Sequence, residues 1–344
     1  MSLEITEAER FLKLAEKMPV CDVRSPSEYC AGHIPGALNI PVFSDSERER
    51  VGIRYKKEGR ISAILEGLDL AAPQMSEKLR QALKIASDNQ LLVHCWRGGM
   101  RSEAMAWLFS LAGINTYALE GGYKSYRNYI LEKLSERRRV ILLGGLTGSS
   151  KTHILGHLKS LGRQVIDLEG LANHKGSAFG ALGQMPQPTT EYFANMLYEE
   201  WRKLDPEEPV WLEDESRNIG SVFIPELFYE NMQKSPAVIL MMDVKTRLPR
   251  LIEEYSKFPV ESIKASILKI GKRLGGDNTR DAVSAVEEGD FARAIGIILT
   301  YYDKAYLFGL SKKSSGNIIK IETGTDNVEE NGLKVMEAAG SIKW

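Results

Sequence analysis

The sequence predicts an α/β protein of two successive domains, each built on a parallel sheet flanked by helices. Three observations carry this. Short apolar runs ending in polar or glycine-bearing loops alternate with helix-period segments along the chain. The pattern restarts once: after a charged helical stretch at 125–139, the buried run Val140-Ile141-Leu142-Leu143 opens a second series. The length, 344 residues at 43% hydrophobic and 26% charged, is enough for about two cores. The boundary is placed between residues 135 and 136, giving domains 1–135 and 136–344. A net charge of −1 gives no overall field, so any nucleic-acid surface must be a local patch. Cys21, Cys30 and Cys95 have no regular spacing. They make neither a disulfide framework nor a zinc site, and they suit a reducing cytoplasm. The charged amphipathic start, MSLEITEAERFLKLAEK, reads as a helix and not as a signal peptide. No run approaches the ~20 apolar residues that span a bilayer. The expectation is a cytoplasmic protein without membrane contact.

In the first domain, Pro19-Val20-Cys21-Asp22-Val23-Arg24 reads as a strand ending in an acid and a base that pair structurally. Pro and Gly then punctuate short apolar pieces to Pro41, read as strand, turn, strand. His33 reads as a hydrogen-bonded turn histidine. Residues 43–72 read as a polar, irregular, charged connector, long enough to suggest a partner contact. Residues 74–88 read as a helix. Then Leu91-Leu92-Val93-His94 forms a buried strand ending at Cys95. A tight turn, Trp96-Arg97-Gly98-Gly99-Met100-Arg101, feeds a helix from Ser102. A thiol at that place faces loop N–H groups and a helix dipole, and Arg97 and Arg101 add full charges. Cys95 is therefore expected to react as a thiolate. Arg97, Gly98, Gly99 and Arg101 are expected to hold an anion beside it.

In the second domain, Gly145 and Gly148 lead through Ser149 and Ser150 to Lys151 and Thr152. This is close to a phosphate-binding P-loop between strand and helix. Lys151 would reach phosphate oxygens, and Thr152 is placed for Mg²⁺. The glycine usual before the lysine is Ser150 here, which counts against nucleotide triphosphate hydrolysis. The next strand ends in Asp167 and Glu169, and a polar loop follows with His174, Lys175 and Ser177, suited to substrate. A strand at 209–213 ends in Glu213-Asp214-Glu215, with Arg217 beyond. Acids there can support Mg²⁺ or a nucleophile, and the arginine can offset phosphate charge. Arg247 and Arg250 share a helix face and are expected over the phosphates. A mostly helical part follows, containing a basic stretch and Tyr301-Tyr302-Asp303-Lys304-Ala305-Tyr306, which reads as a base-stacking surface or a core stripe. A last strand, Ile318-Ile319-Lys320-Ile321, precedes the final helix.

Four ordered pieces of the first domain resemble the rhodanese family. They are Asp22-Val23-Arg24-Ser25-Pro26-Ser27-Glu28-Tyr29, Gly32-His33-Ile34-Pro35-Gly36-Ala37, the 95–101 loop and Glu120-Gly121-Gly122-Tyr123. The resemblance implies that Cys95 is the active cysteine and carries a chalcogen. The Cys-x5-Arg spacing also occurs in tyrosine phosphatases, which keeps a phosphatase open for this domain alone. Together with the 145–152 loop, His174-Lys175-Gly176-Ser177-Ala178-Phe179-Gly180 and Glu213-Asp214-Glu215-Ser216-Arg217-Asn218-Ile219-Gly220, the chain resembles the bacterial, selenophosphate-dependent tRNA 2-selenouridine synthase family. That family joins a rhodanese-like domain to a P-loop NTPase-like domain with a helical C-terminal part. The resemblance implies conversion of 2-thiouridine at the tRNA wobble position to 2-selenouridine, through S-geranyl-2-thiouridine, with geranyl diphosphate and selenophosphate as substrates and no tightly bound cofactor. Cys95 then either takes selenium as a perselenide or attacks directly. Phe179, Phe193 and Met196 are candidates for holding the geranyl chain. Two other readings remain: a thiosulfate-type sulfurtransferase fused to a small-molecule kinase, and a non-enzymatic tRNA-binding module.

Overall fold

In the computed structural model, which describes residues 3–312 and 318–344, the chain divides into two compact units. The first comprises residues 1–133 with Ala194–Tyr198, and the second comprises Leu134–Phe193 with Glu199–Trp344. Each holds a five-stranded, wholly parallel sheet.

The strands of the first unit are β1 (Glu4–Thr6), β2 (Val20–Asp22), β3 (Leu38–Asn39), β4 (Gln90–His94) and β5 (Asn115–Leu119), in the order β1-β5-β4-β2-β3. The central β4 is the most apolar, and Leu91, Leu92 and Val93 are fully buried. A strand covered on both faces needs this continuous apolar run. Cys95 follows at its carboxyl end, where parallel sheets place their ligands.

Three expectations are corrected in this unit. The N-terminal segment is not one helix: β1 pairs in parallel with β5 before the helix Ala8–Ala15. β-branched Ile5 and Thr6 suit an edge strand, and pairing across the sheet overrides the helical charge pattern. The stretch after β2 is a helix, Pro26–Ala31, started by a Ser25/Glu28 capping box. The 43–72 connector is two helices, Asp45–Glu58 and Arg60–Ala71, turned at Gly59 with φ 86°. A Ser44/Glu47 capping box opens the first, and Arg50 and Arg54 both pair with Glu66 of the second. The first helix fully buries none of its residues, so it left no helical apolar stripe for the sequence to reveal.

The strands of the second unit are β6 (Val140–Gly145), β7 (Gln164–Val165), β8 (Val210–Glu213), β9 (Asn218–Ile219), β10 (Val222–Phe223), β11 (Ala237–Met242) and β12 (Ile318–Thr323). The sheet runs β12-β11-β6-β8-β7, and β9 and β10 pair as a small antiparallel hairpin. Every residue of β6 is buried. The helix Lys151–Ser160 starts just past it. Four consecutive helices, Val244–Tyr255, Val260–Leu274, Gly276–Glu287 and Phe291–Ser311, form the helical part, with their own core of Ile263, Ile267, Ile270 and Ile298. β7 is shorter than expected: Asp167 leaves the strand to cap the helix Leu168–Ala172 through Gly170 N. The triple arginine 137–139 lies beyond the preceding helix, Gly122–Ser135. Arg138 instead donates to the Trp201 and Leu204 carbonyls at the end of the helix Thr190–Trp201, with its guanidinium 4.8 Å from the Trp201 ring centroid. It serves a helix C-terminus, although not that of its own helix. Among the described residues, no helix is long and apolar enough to cross a membrane.

Candidate functional site

Each unit carries a site on the loop that leaves its most buried strand. In the first, the 95–99 loop lies directly on the 120–122 turn. Tyr123 N donates to the Cys95 carbonyl (2.8 Å) and Lys124 N to that of Trp96 (3.0 Å). Gly98 is required here: its φ is +64°, and a Cβ would stand 2.6 Å from the Leu119 carbonyl oxygen. The cysteine is thereby fixed at the start of the helix Met100–Ser110. Gly99 N donates to Sγ at 3.4 Å, and Ser102 Oγ lies 3.3 Å from it. Burial alone would raise the thiol pKa. Hydrogen bonds from Ser102 and from the Gly99, Ser102 and Arg97 backbone outweigh burial and hold it below the ordinary value.

The arginines take little part in this stabilisation. Arg101 Nη1 is 2.6 Å from Glu28 Oε2, so its charge is met by a carboxylate that also accepts from Ser25 N. Arg97 extends into solvent. This corrects the expectation that both cations bear on the sulfur. The thiolate rests on neutral donors, and the sequence reading missed Ser102 as one of them. The available signal was a hydroxyl on the first turn of the helix after the cysteine. Below the loop, Asp22 and Arg24 form a fully buried pair (2.6 Å), with the guanidinium 3.8 Å from the Tyr123 ring centroid.

In the second unit, the 145–152 loop forms one side of a cleft of about 660 Å³. Gly145 and Gly148 have positive φ. Ser150, standing where such loops usually have glycine, also adopts the left-handed conformation (φ 61°, ψ 23°). Its hydroxyl donates to Asp326 Oδ1 at 2.6 Å, and Asp326 Oδ2 meets Arg250 Nε at 2.6 Å. Ser149 Oγ is buried with no hydrogen-bond partner among the described residues. Lys151 Nζ donates to the Gly145 carbonyl (3.2 Å) and Thr152 Oγ1 to Glu169 Oε2 (3.1 Å). Glu169 and Glu215 converge on Gly176, where a Cβ would stand 3.0 Å and 2.7 Å from their oxygens. Burial, reinforced by the Glu169 charge and opposed by Lys151, pushes the Glu215 carboxyl up to about 8. Two crowded carboxylates and a hydroxyl are hard oxygen donors, the kind of set that suits Mg²⁺ beside Lys151. Phe179, Tyr255, Tyr301, Tyr302 and Tyr306 also line the cleft, with Tyr306 Oη beside the loop, where a Cβ on Gly144 would stand 2.5 Å from it. The Phe179 and Tyr255 rings are 5.2 Å apart, and Tyr302 Oη accepts from Ala178 N.

The cleft gathers Gly145, Gly148, Ser149, Ser150, Lys151, Thr152, Asp167, Lys175, Ser177 and Glu215. Within it, Asp167 is spent as a helix cap and Lys175 is paired with Glu254. Three expected residues lie elsewhere. Glu213 is wholly buried at the end of β8, and its Oε2 accepts from Leu168 N. Burial and the charges of Asp167 and Glu169 hold its carboxyl far above the usual range. β8 ends at Glu213 and the chain turns there, Glu215 N donating to the Glu213 carbonyl (3.0 Å), so the two glutamates do not keep the common face that strand alternation would give them. Arg217 is exposed beside Glu226. His174 packs between Gly180 and Gly220, where Cβ atoms would come within 2.8 Å of its ring. Burial and Lys269 push its pKa down, as for a neutral packing group. Arg247 is buried and holds the Thr147 carbonyl (2.8 Å) and Asp303 (2.6 Å), so it braces the loop backbone, while Arg250 lines the cleft. Of the three apolar candidates, Phe179 lines the cleft, whereas Phe193 and Met196 lie on the helix Thr190–Trp201, outside it. Asp326 and Asp303 reach this machinery from distant segments, and nothing in the loop sequence marks them, whereas Glu169 is one of the two acids noted after the loop.

Residues 138–331 match the family model described as the tRNA 2-selenouridine synthase AAA domain, and residues 7–129 match the Rhodanese-like domain. Three curated relatives bear the name tRNA 2-selenouridine synthase. The one from Sulfurovum sp. is 34% identical, covering 88% of this chain and 93% of its own. That from Shewanella frigidimarina is 33% identical, over 91% and 94%. That from Bdellovibrio bacteriovorus is 33% identical, over 100% and 89%. With a family model over more than half its length and relatives of this identity end to end, the chain belongs to the tRNA 2-selenouridine synthase family.

Proposed function

We propose that this chain replaces the sulfur of 2-thiouridine at the tRNA wobble position with selenium, in two steps served by its two units. The observation that carries this reading is the make-up of the second unit's cleft, whose lining combines a phosphate cradle with several aromatic rings. That pairing suits a short prenyl diphosphate, with charge at one end and hydrocarbon at the other. In the first step, the thiouridine sulfur attacks C1 of geranyl diphosphate. The C1–O bond breaks, the N3 proton of the base is lost to water, and diphosphate leaves onto the loop N–H groups and Lys151. Mg²⁺ held by Thr152, Glu169 and Glu215 would offset the charge of the leaving group. Tyr301, Tyr302 and Phe179 hold the chain and keep water from the allylic carbon.

Alkylation turns a poor thiocarbonyl leaving group into a good thiol. In the second step, the Cys95 thiolate attacks C2 of the S-geranyl base. A C2–Sγ bond forms, the C2–S(geranyl) bond breaks, and geranyl thiol departs with a proton. Selenium of selenophosphate then bonds to C2 and releases Cys95. Hydrolysis of the Se–P bond gives phosphate and 2-selenouridine. No electrons are exchanged overall. A perselenide on Cys95 with release of phosphate would require a two-electron oxidation of the selenium, which decides between the two roles in favour of direct attack.

The test supplies the purified chain with 2-thiouridine tRNA, geranyl diphosphate and selenophosphate, and follows the nucleosides by mass spectrometry. Lys151→Ala is expected to lower geranylation by at least about 100-fold, the scale of losing one preorganised oxyanion donor. Cys95→Ala is expected to accumulate the geranylated base and make no selenouridine. Full selenation by Cys95→Ala would overturn the assignment. ATP turnover without tRNA would favour the sulfurtransferase–kinase reading.

A further inference from the structure

The first unit holds an open cavity of about 1100 Å³ that the steps above do not use. Its walls are the helices Asp45–Glu58 and Arg60–Ala71 and the helix Met100–Ser110, which the Cys95 loop opens. Phe43 forms part of the floor, and Gly67 makes room for it: a Cβ there would stand 3.2 Å from Phe43 Cζ. Ile53, Leu68 and Met100 line the same cavity while 44%, 53% and 49% exposed. Single exposed apolar side chains are ordinary, but several turned onto one hollow mark a binding surface. Five cations and three acids line it: Arg48 and Arg101 both pair with Glu28, and Arg60 Nη2 reaches Met100 Sδ at 3.9 Å.

An apolar floor within a lining of net positive charge fits an apolar group carried on a polyanion. The position adds a second constraint, because Met100 and Arg101 are both cavity wall and the first turn after the reactive loop. We infer that this cavity receives the geranyl group of S-geranyl-2-thiouridine in tRNA, and holds the geranyl thiol as the C2–S bond breaks. The inference rests on the two-step reading above and adds a second hydrocarbon site, distinct from the aromatic rings of the phosphate cleft. The first site would bind the chain as a diphosphate, and the second as a thioether on RNA.

The experiment compares two RNA hairpins, one carrying S-geranyl-2-thiouridine and the other S-methyl-2-thiouridine, with selenophosphate and the full chain. Both have an activated C2 and differ only in hydrocarbon. The wild type is expected to prefer the geranyl substrate at least ten-fold in kcat/KM, mostly through KM. Ala104→Trp and Leu68→Trp would each fill the cavity from a different helix, and each should bring the geranyl-to-methyl ratio toward one. A ratio is insensitive to how much of a variant is folded, so a merely structural effect would leave it unchanged. Equal rates on both substrates by the wild type, or an unchanged ratio in both variants, overturns the cavity assignment while the two-step reading stands. Selenation of neither substrate by the wild type overturns both.

Discussion

The two loops look alike in outline, each joining a buried strand to a helix N-terminus through glycine, yet they are secured by opposite means. The Cys95 loop is held by backbone hydrogen bonds to the 120–124 segment, and its sulfur is met by neutral donors, Gly99 N and Ser102 Oγ. The nearby arginine is already matched to Glu28. The phosphate loop is braced by charged side chains: Arg247 on the Thr147 carbonyl with Asp303, and Asp326 on Ser150 with Arg250. The difference follows from where the negative charge resides. A loop that carries its own anion as a thiolate needs a few short-range donors and close packing. A loop that, on the proposed reading, accepts a highly charged ligand keeps its shape through partners on its carbonyl and hydroxyl oxygens.

The comparison is sharpened most by Arg247. It is 1% exposed and bonded to Asp303 and to two carbonyls besides that of Thr147. Truncation strands a partly buried carboxylate and an unbonded loop carbonyl. Arg247→Ala should cost about 3 kcal/mol, toward the lower end for a broken buried pair because Asp303 retains some contact with water. The shift of the urea midpoint measures it. Removing the equivalent cation of the other loop, Arg101→Ala, should cost under about 1 kcal/mol, since that pair is only partly buried. Equal losses would erase the proposed distinction between the loops.

A smaller effect is expected at the thiol. Ser102→Ala removes the leading donor to Cys95, and a hydrogen bond to a charged group is worth about 1.5 kcal/mol, or roughly one pKa unit. The pH of half-maximal alkylation at Cys95, followed by peptide mass spectrometry, should rise by about that much. The sign for stability follows. A thiol whose pKa is lowered on folding adds stability above its unfolded value, and that contribution is lost as pH falls through the folded one. Ser102→Ala should therefore flatten this rise of stability with pH. Arg97→Ala, in contrast, should leave the alkylation midpoint close to that of the wild type.

The legibility of the molecule divides along similar lines. Both parallel sheets and both loops were visible because their strands are continuous apolar runs ending in glycine and a reactive or charged residue. These are local signals. What escaped was non-local or concealed by charge. The helix Asp45–Glu58 buries none of its residues fully and is secured by a capping box and ion pairs. Its role as a cavity wall depends on a partner helix beyond a turn. Glu213 and Glu215 were candidates two residues apart, but one was taken into the core and the other turned into the cleft. Asp303 and Asp326 could not be found from the loop sequence, because they arrive from the last helices and strand of the sheet.

The finest test concerns Ser150, the departure from the usual glycine. A left-handed non-glycine residue costs about 1 kcal/mol, and its hydroxyl bond to the Asp326 carboxylate returns about as much. Ser150→Gly removes both and should change stability by under about 0.5 kcal/mol. Ser150→Ala keeps the strain and loses the bond, so it should cost about 1 kcal/mol or more. Urea unfolding of the two variants side by side separates them. If glycine and alanine prove equally destabilising, the hydroxyl alone matters and the left-handed turn carries no strain. If glycine is neutral and alanine is not, the serine takes the conformation a phosphate loop requires and offsets its cost by tying the loop to Asp326. The Cys95 loop, which meets its own left-handed requirement with Gly98, has no counterpart to that tie.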